Sequence, residues 1–282
     1  MPELPEVETI CQTLRTAILD QKIVKVIVGK RKLREPIPDD LVTVLPGKII
    51  TNVSRRGRYI LIHLGKECLI IHLGMSGNLR LESSEQLINR HDHFRILLSN
   101  HYSIHYIDPR RFGFILWTME PVLQHKILKK LGIEPLDDKF RAEFLFDCAQ
   151  GKKYTIKQLL MDNQLVTGIG NIYANEILFA SKINPLRKAN EISLNECARI
   201  VDETKRILQL AIQAGGTTIR DHSNVFGKKG SFQEQLAVYG KAGQPCPVCK
   251  TKLVSTKISQ RATVFCSNCQ KIERNIKNGN SV

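Results

Sequence analysis

Tyr59-Ile60-Leu61-Ile62-His63-Leu64 and Cys68-Leu69-Ile70-Ile71-His72-Leu73 are two apolar, β-branched runs with Gly65-Lys66 between them. That is the pattern of an antiparallel hairpin. Outward from it, residues 23–28, 94–98, 104–107 and 114–117 repeat the texture at close spacing, with Ser99-Asn100 as a further turn. Short strands so placed predict antiparallel sheets packed as a sandwich or flattened barrel. A helix precedes them. Pro5 suits its first position, Glu6 and Glu8 its first turn, and Val7, Ile10, Cys11, Leu14 and Ile18 form an apolar stripe able to cap the sheets.

Near residues 132–138 the pattern changes to longer helical periods. Ser193 and Glu196 have the spacing of a capping box, the helix they open runs to about Ala214, and Gly215-Gly216 ends it. Two further helical stretches flank Thr167-Gly168-Ile169-Gly170-Asn171, too rich in glycine to continue a helix, with Asn171 expected to cap the second. Backbone amides in such a turn can hold a phosphate, and a plain connection explains the glycines equally well.

Cys246-Pro247-Val248-Cys249 and Cys266-Ser267-Asn268-Cys269 are separated by sixteen residues, the spacing of four thiolates around one tetrahedral zinc. With all four positions cysteine, no coordination site remains for a reactive water, so the metal is expected to be structural. Too few apolar residues lie between the pairs for an independent core, and metal binding would fold the segment. Disulfides would need an oxidising compartment; no signal peptide is recognised, and Cys11, Cys68, Cys148 and Cys197 are scattered singly.

The 282 residues include 42 basic and 27 acidic side chains, a net charge of +15. From Lys241 onward eight basic residues face one acidic residue, Glu273. Such a surplus favours a polyanion, with nucleic acid first because neutralised phosphates release counterions. A membrane surface is disfavoured: no apolar run is long enough to span, and no lipidation signal is present.

The chain opens Met1-Pro2-Glu3-Leu4-Pro5-Glu6-Val7-Glu8. Removal of Met1 would leave a secondary α-amine at Pro2, beside the Glu3 carboxylate. Such an amine has a reference pKa of about 7.7 to 8.0, so it is a nucleophile near neutral pH without a desolvated lysine. A proline that merely leads into the helix is the competing reading.

These motifs occur together with His72-Leu73-Gly74-Met75-Ser76-Gly77, Asp108-Pro109-Arg110-Arg111-Phe112-Gly113 and Gly168-Ile169-Gly170-Asn171-Ile172-Tyr173. In that order, over roughly residues 1–270, the chain resembles the bacterial formamidopyrimidine-DNA glycosylases. The resemblance implies an α+β fold in three parts: a helix-capped β-sandwich (1–132), a helix-two-turn-helix domain (133–237) and a four-cysteine zinc finger (238–272), followed by a polar tail (273–282). It implies a monomeric, cytoplasmic repair enzyme acting on double-stranded DNA that contains an oxidised purine or an abasic site, held in the cleft between the lobes.

The chemistry implied is attack by Pro2 on the sugar carbon bearing the damaged base, a Schiff base, and β,δ-elimination of both flanking phosphates, with Glu3 as general acid. The target nucleotide must be flipped out, and Met75, Arg110 and Phe112 match the family's wedge that fills the gap. Ordinary core packing is the competing reading for Met75 and Phe112. Asn171 and Arg261 match the phosphate clamp, with Arg261 expected at the finger's tip. His72, His91, Lys152, Lys157 and Tyr239 match further residues near DNA, and Cys246, Cys249, Cys266 and Cys269 match the ligands of one structural Zn2+. The stretch from Thr217 to Phe232 corresponds to a mobile loop over the flipped base.

One position departs from the pattern. In Arg55-Arg56-Gly57-Arg58-Tyr59, Arg58 stands where the family usually has a lysine assigned to proton transfer. An arginine stays protonated and is a poor acid or base. Three other functions compete: an endonuclease VIII-like glycosylase for oxidised pyrimidines, disfavoured by Leu4; a DNA-binding protein without catalysis; and a zinc-ribbon protein that binds acidic proteins.

Overall fold

The structure, a computed structural model, describes residues 1–29, 32–85, 90–217, 225–227 and 230–272. Helix α1 (Leu4–Ile18) begins after Glu3 as its N-cap. Glu3 and Glu6 form a reciprocal capping box, and Pro5 occupies the first turn. The stripe Val7, Ile10, Cys11, Leu14 and Ile18 is fully buried, each such side chain contributing about 1.5–3 kcal/mol.

Two four-stranded antiparallel sheets follow. One has the order β1 (Ile23–Val28), β6 (Asp92–Leu98), β7 (Tyr102–Ile107), β5 (Asn78–Ser83); the other has β2 (Asn52–Arg56), β3 (Tyr59–Leu64), β4 (Glu67–His72), β8 (Phe114–Thr118). A four-residue helix, α2 (Leu41–Val44), lies between β1 and β2. One apolar core joins α1 to both sheets, making a sandwich capped by a helix. The β3–β4 register pairs Ile60 with Ile71 and Ile62 with Leu69 toward that core. Leu61, Cys68 and Ile70 point to the other face, where Leu128 covers them. Burial on both faces explains why these strands read as continuous apolar runs instead of alternating.

The sequence showed six strands here; the two it missed, β2 and β5, are polar on one face, as Ser54-Arg55-Arg56 and Arg80 show. The expected turns are present. Gly65, with φ +72, lies between β3 and β4, and Ser99-Asn100-His101 lies between β6 and β7.

The chain groups into two units: Met1–Glu134 with Val166–Gly168 and Leu208–Gln235, and Pro135–Leu165 with Ile169–Ile207 and Leu236–Val282. The helical region comprises α3 (Ala142–Ala149), α4 (Ile156–Leu160), α5 (Asn171–Ala180) and α6 (Leu194–Gln213). The Ser193–Glu196 capping box is formed, and Arg187 pairs with Glu196 beneath it. At the far end Gly215 and Gly216 both take positive φ, with Gly216 N–H donating to Ala211 O at 2.7 Å.

The hairpin between the two cysteine pairs, β9 (Val254–Ile258) and β10 (Arg261–Phe265), belongs to the second unit. Its core continues into α5 through Phe179. Val264 N–H donates to Asn175 Oδ1 at 2.8 Å, and Asn184 Nδ2 donates to Gln270 O at 2.7 Å. The expected tail 273–282 lies outside the described residues, as do 218–224 and 228–229 of the expected loop over the base.

Candidate active site and nucleic-acid interface

Pro2 is buried, and Glu3 is 3% exposed. Glu3 N–H donates to Glu6 Oε2, and the other Glu6 oxygen accepts from Thr217 N–H, both at 2.8 Å. Leu4 N–H donates to Gly168 O at 3.0 Å. Gly168 has φ +91, and a Cβ there would lie 2.9 Å from the Leu4 side chain, so glycine is required by both conformation and space.

Arg58 is 7% exposed, with its Nε donating to Gly168 O at 3.3 Å and its Nη1 3.7 Å from Met1 Sδ. Burial holds the Met1 α-amino group below its ordinary 8.0. Glu3 and Glu6 oppose this shift, and Arg58 and Arg110 reinforce it. Arg58 follows a tight turn at Gly57 that Glu134 fixes: its carboxylate accepts from Gly57 N–H, Arg55 and Arg56 at 2.7–2.8 Å. The amine, a carboxylate and a permanent cation thus share one corner of the first unit.

Met75 and Phe112 are 46% and 43% exposed, which removes core packing as an account of either. The Arg110 guanidinium lies 4.9 Å from the Phe112 ring centroid. His72, stacked on Phe114 at 5.1 Å, accepts from Gly74 N–H through Nδ1 at 3.2 Å. Burial, with Arg58 and Arg34 adding, pulls its pKa down to about 4. His91 is half-buried, with its ring accepting from Arg90 Nε at 2.9 Å.

In the second unit Asn171 is the first residue of α5, and Gly170 is the N-cap, which corrects the expectation that Asn171 caps this helix. Its side chain points away from the helix amides: Oδ1 accepts from Lys157 Nζ at 2.8 Å, and Nδ2 donates to Ala262 O at 3.0 Å. Lys157 is 1% exposed; its ammonium also donates to Ala262 O at 3.1 Å and Thr263 Oγ1 at 2.7 Å. A lysine matched to the residues near DNA is therefore the buried node joining α4, α5 and β10.

Arg261 is exposed directly after the Ser259-Gln260 turn, whose residues both take positive φ, at the tip of the hairpin as the sequence predicts. It lines a cavity of about 310 Å3 with Lys157 and Tyr154. Lys152 is exposed, with its Nζ 6.0 Å from the Tyr154 ring centroid. Tyr239 is held through its backbone: Glu176, 5% exposed, accepts from Ala237, Val238 and Tyr239 N–H at 2.7–3.0 Å.

The four cysteine sulfurs lie within 4.8 Å of one another. The separations Cys246–Cys269, 3.9 Å, and Cys249–Cys266, 3.4 Å, fit the edge of about 3.8 Å that Zn–S bonds of ~2.3 Å give a tetrahedron. These residues hold one structural zinc, in line with the matching family model for this segment.

Sequence reasoning missed the buried acids Glu6, Asp108 and Glu176 and the half-buried Glu134, which fix the chain around the predicted residues. Only Glu6 left a signal, its three-residue spacing from Glu3.

The family model for the formamidopyrimidine-DNA glycosylase N-terminal domain matches residues 1–115, that for its H2TH domain 131–223, and that for a zinc finger found in FPG and IleRS 243–272. The formamidopyrimidine-DNA glycosylase of Hydrogenovibrio crunogenus is 46% identical over 96% of this chain and 97% of its own. The chain belongs to the formamidopyrimidine-DNA glycosylase family. The Photobacterium profundum glycosylase is 48% identical over 96% of this chain and all of its own.

Among solved structures, a Lactococcus lactis glycosylase mutant in complex with DNA containing Fapy-dG superposes with a TM-score of 0.89 at 34% identity, covering 96% of this chain and 100% of that one. The Thermus thermophilus glycosylase does so with a TM-score of 0.83 at 33% identity, covering 95% and 98%. As a formamidopyrimidine-DNA glycosylase, the protein is a base-excision DNA repair enzyme that also has lyase activity at abasic sites. Among the described residues, no helix is long and apolar enough to cross a membrane.

Proposed function

We propose that this glycosylase excises oxidised purines, 8-oxoguanine and formamidopyrimidines, from duplex DNA as a monomer, with Pro2 as nucleophile after removal of Met1. The Pro2 nitrogen attacks C1′, the bond from C1′ to the base breaks, and Glu3 protonates the ring oxygen as the sugar opens. The resulting iminium acidifies the 2′ hydrogens. Loss of one expels the 3′ phosphate, and a second elimination expels the 5′ phosphate, leaving a one-nucleotide gap.

The observation that carries this reading is the placement of Pro2, buried at the start of α1 beside the buried Glu3 carboxylate and the buried Arg58. The unprotonated form of an α-amine is the nucleophile that this attack requires. In this scheme segment 1–132 supplies the reaction centre and the wedge Met75, Arg110 and Phe112. Segments 133–237 and 238–272 grip the backbone through Asn171 and Arg261. Lys157 acts behind Asn171, and His72, His91, Lys152 and Tyr239 flank the DNA. Arg58 anchors charge near the flipped nucleotide without relaying protons. The zinc orders the hairpin that bears Arg261 and takes no part in the reaction.

A second reading, release of oxidised pyrimidines, draws support from a Lactococcus lactis relative solved with DNA containing an oxidised pyrimidine. Borohydride trapping on a duplex with one 8-oxoguanine opposite cytosine, beside dihydrothymine and abasic duplexes, separates the two. The proposal expects a Pro2-dependent adduct with 8-oxoguanine and β,δ-elimination ends, lost in Pro2→Gly. An adduct with dihydrothymine but not 8-oxoguanine would favour the second reading. Retention of Met1 in the intact mass of a fully active sample would overturn the nucleophile.

A further inference from the structure

Met75 lies in the turn between β4 and β5, and Arg110 and Phe112 lie in the turn between β7 and β8. The two turns meet backbone to backbone. Gly74 has φ +59, and a Cβ there would lie 2.5 Å from Gly113 N; a Cβ on Gly77 would lie 2.9 Å from the Tyr106 hydroxyl. That hydroxyl donates to His72 O at 3.1 Å.

Asp108 sits at the junction with 0% exposure. Its Oδ1 accepts from Ser76 Oγ at 2.6 Å, on the first turn, and from Arg110 N–H at 3.3 Å, on the second. Its Oδ2 accepts from Gly113 N–H at 2.8 Å, and Ser76 Oγ also accepts from Arg110 N–H at 3.2 Å. The Asp108 backbone is tied in turn to strand β6 and its approach: its N–H donates to His91 O at 3.2 Å, and its carbonyl pairs with His93 Nε2 at 2.8 Å. Between Arg110 and Phe112, Arg111 is held at φ +59, a left-handed conformation that a non-glycine residue adopts only against a cost of about 1–2 kcal/mol. A buried carboxylate with donors on both turns offsets that cost and prevents the turns from moving independently.

We propose that Asp108, acting through Ser76, is a positioning residue that locks the Met75 turn and the Arg110–Phe112 turn into one rigid wedge, so that action on duplex DNA depends on this latch and action on single strands does not. The proposal rests on reading Met75, Arg110 and Phe112 as the side chains that fill the gap. Asp108 and Ser76 touch no reacting atom. A single strand has no stack to open and no partner base to satisfy, so a loosened wedge costs nothing there.

The test is single-turnover cleavage of an abasic site in a duplex and in the same strand alone, for the full-length protein and for Ser76→Ala and Asp108→Asn, with Met75→Ala and Arg110→Ala as wedge controls. Ser76→Ala, which removes the charge-assisted hydrogen bond to Asp108 and the one accepted from Arg110 N–H, is expected to slow duplex cleavage about tenfold, and Asp108→Asn about thirtyfold or more. Single-strand rates should stay within about twofold, since a lost hydrogen bond remote from the reacting atoms leaves the chemistry intact. Equal slowing on both substrates, or unslowed duplex cleavage by Ser76→Ala, overturns the latch. Should Asp108→Asn not fold, Ser76→Ala decides. If the Met75→Ala and Arg110→Ala controls leave duplex cleavage intact, the wedge reading itself fails; if they slow it while the latch variants do not, only the latch fails.

Discussion

Replacing Lys157 by methionine tests whether this buried ammonium grips DNA or builds the clamp. The substitution keeps most of the side-chain volume and removes hydrogen bonds to Asn171 Oδ1, Ala262 O and Thr263 Oγ1. Hydrogen bonds to a charged group contribute about 1.5–3 kcal/mol each. Against their loss stands the desolvation cost of a buried ammonium, several kcal/mol, which the methionine avoids. Ala262 O also keeps its bond from Asn171 Nδ2. The balance is a loss of about 2–3 kcal/mol of stability, read by urea unfolding.

Affinity for an abasic duplex should fall about tenfold, because Asn171 is no longer held, while the slope of log K against log salt should not change. A direct phosphate contact behaves differently: its removal lowers the slope by about 0.9 and leaves stability intact. Fluorescence anisotropy between ~50 and ~200 mM salt measures that slope. A Lys157→Met protein of undiminished stability whose slope drops by about one would refute the reasoning.

Arg58→Lys is expected to raise single-turnover excision of 8-oxoguanine by up to about tenfold, part of the 10²–10⁴ that a placed proton donor contributes; a rate no higher than that of the native Arg58 protein counts against the assignment. His72 titrates near 4, against 6.5 when unfolded, because burial and two arginines disfavour its charge. Its stabilising contribution is therefore complete above about 6.5 and is lost as pH falls toward 4, about 3 kcal/mol at ~1.36 kcal/mol per pH unit. Denaturant midpoints across that window should fall less steeply in His72→Asn, and an unchanged pH profile would remove the effect. Cys266→Ser should abolish stoichiometric zinc and weaken DNA binding by about a hundredfold or more, since the metal supplies the folding energy of the segment. Metal content and anisotropy check both, and full affinity without zinc would contradict them.

Strand, turn and metal chemistry depend on residues close in sequence, and these were legible. The β3–β4 hairpin, the α1 stripe and the cysteine pairs each follow from a local period or spacing. Strands β2 and β5 were hidden because a polar outer face masks a buried inner one. Asn171 was misread as a cap for a related reason: a local rule rates its side chain as a helix starter, but a lysine fourteen residues earlier and a carbonyl ninety-one residues later bind it more strongly.

By itself the sequence determined the helix-capped sheets, the four thiolates and the positive charge, each of which needs only composition and short-range order. The tertiary structure alone decided that Met75 and Phe112 face solvent, that Lys157 is buried, and that Glu6, Asp108, Glu134 and Glu176 pin the segments bearing the predicted residues. Such a carboxylate is one acidic letter among many in the chain, and its donors lie anywhere from two to more than two hundred residues away. Only folding determines which of them is placed with its donors around it.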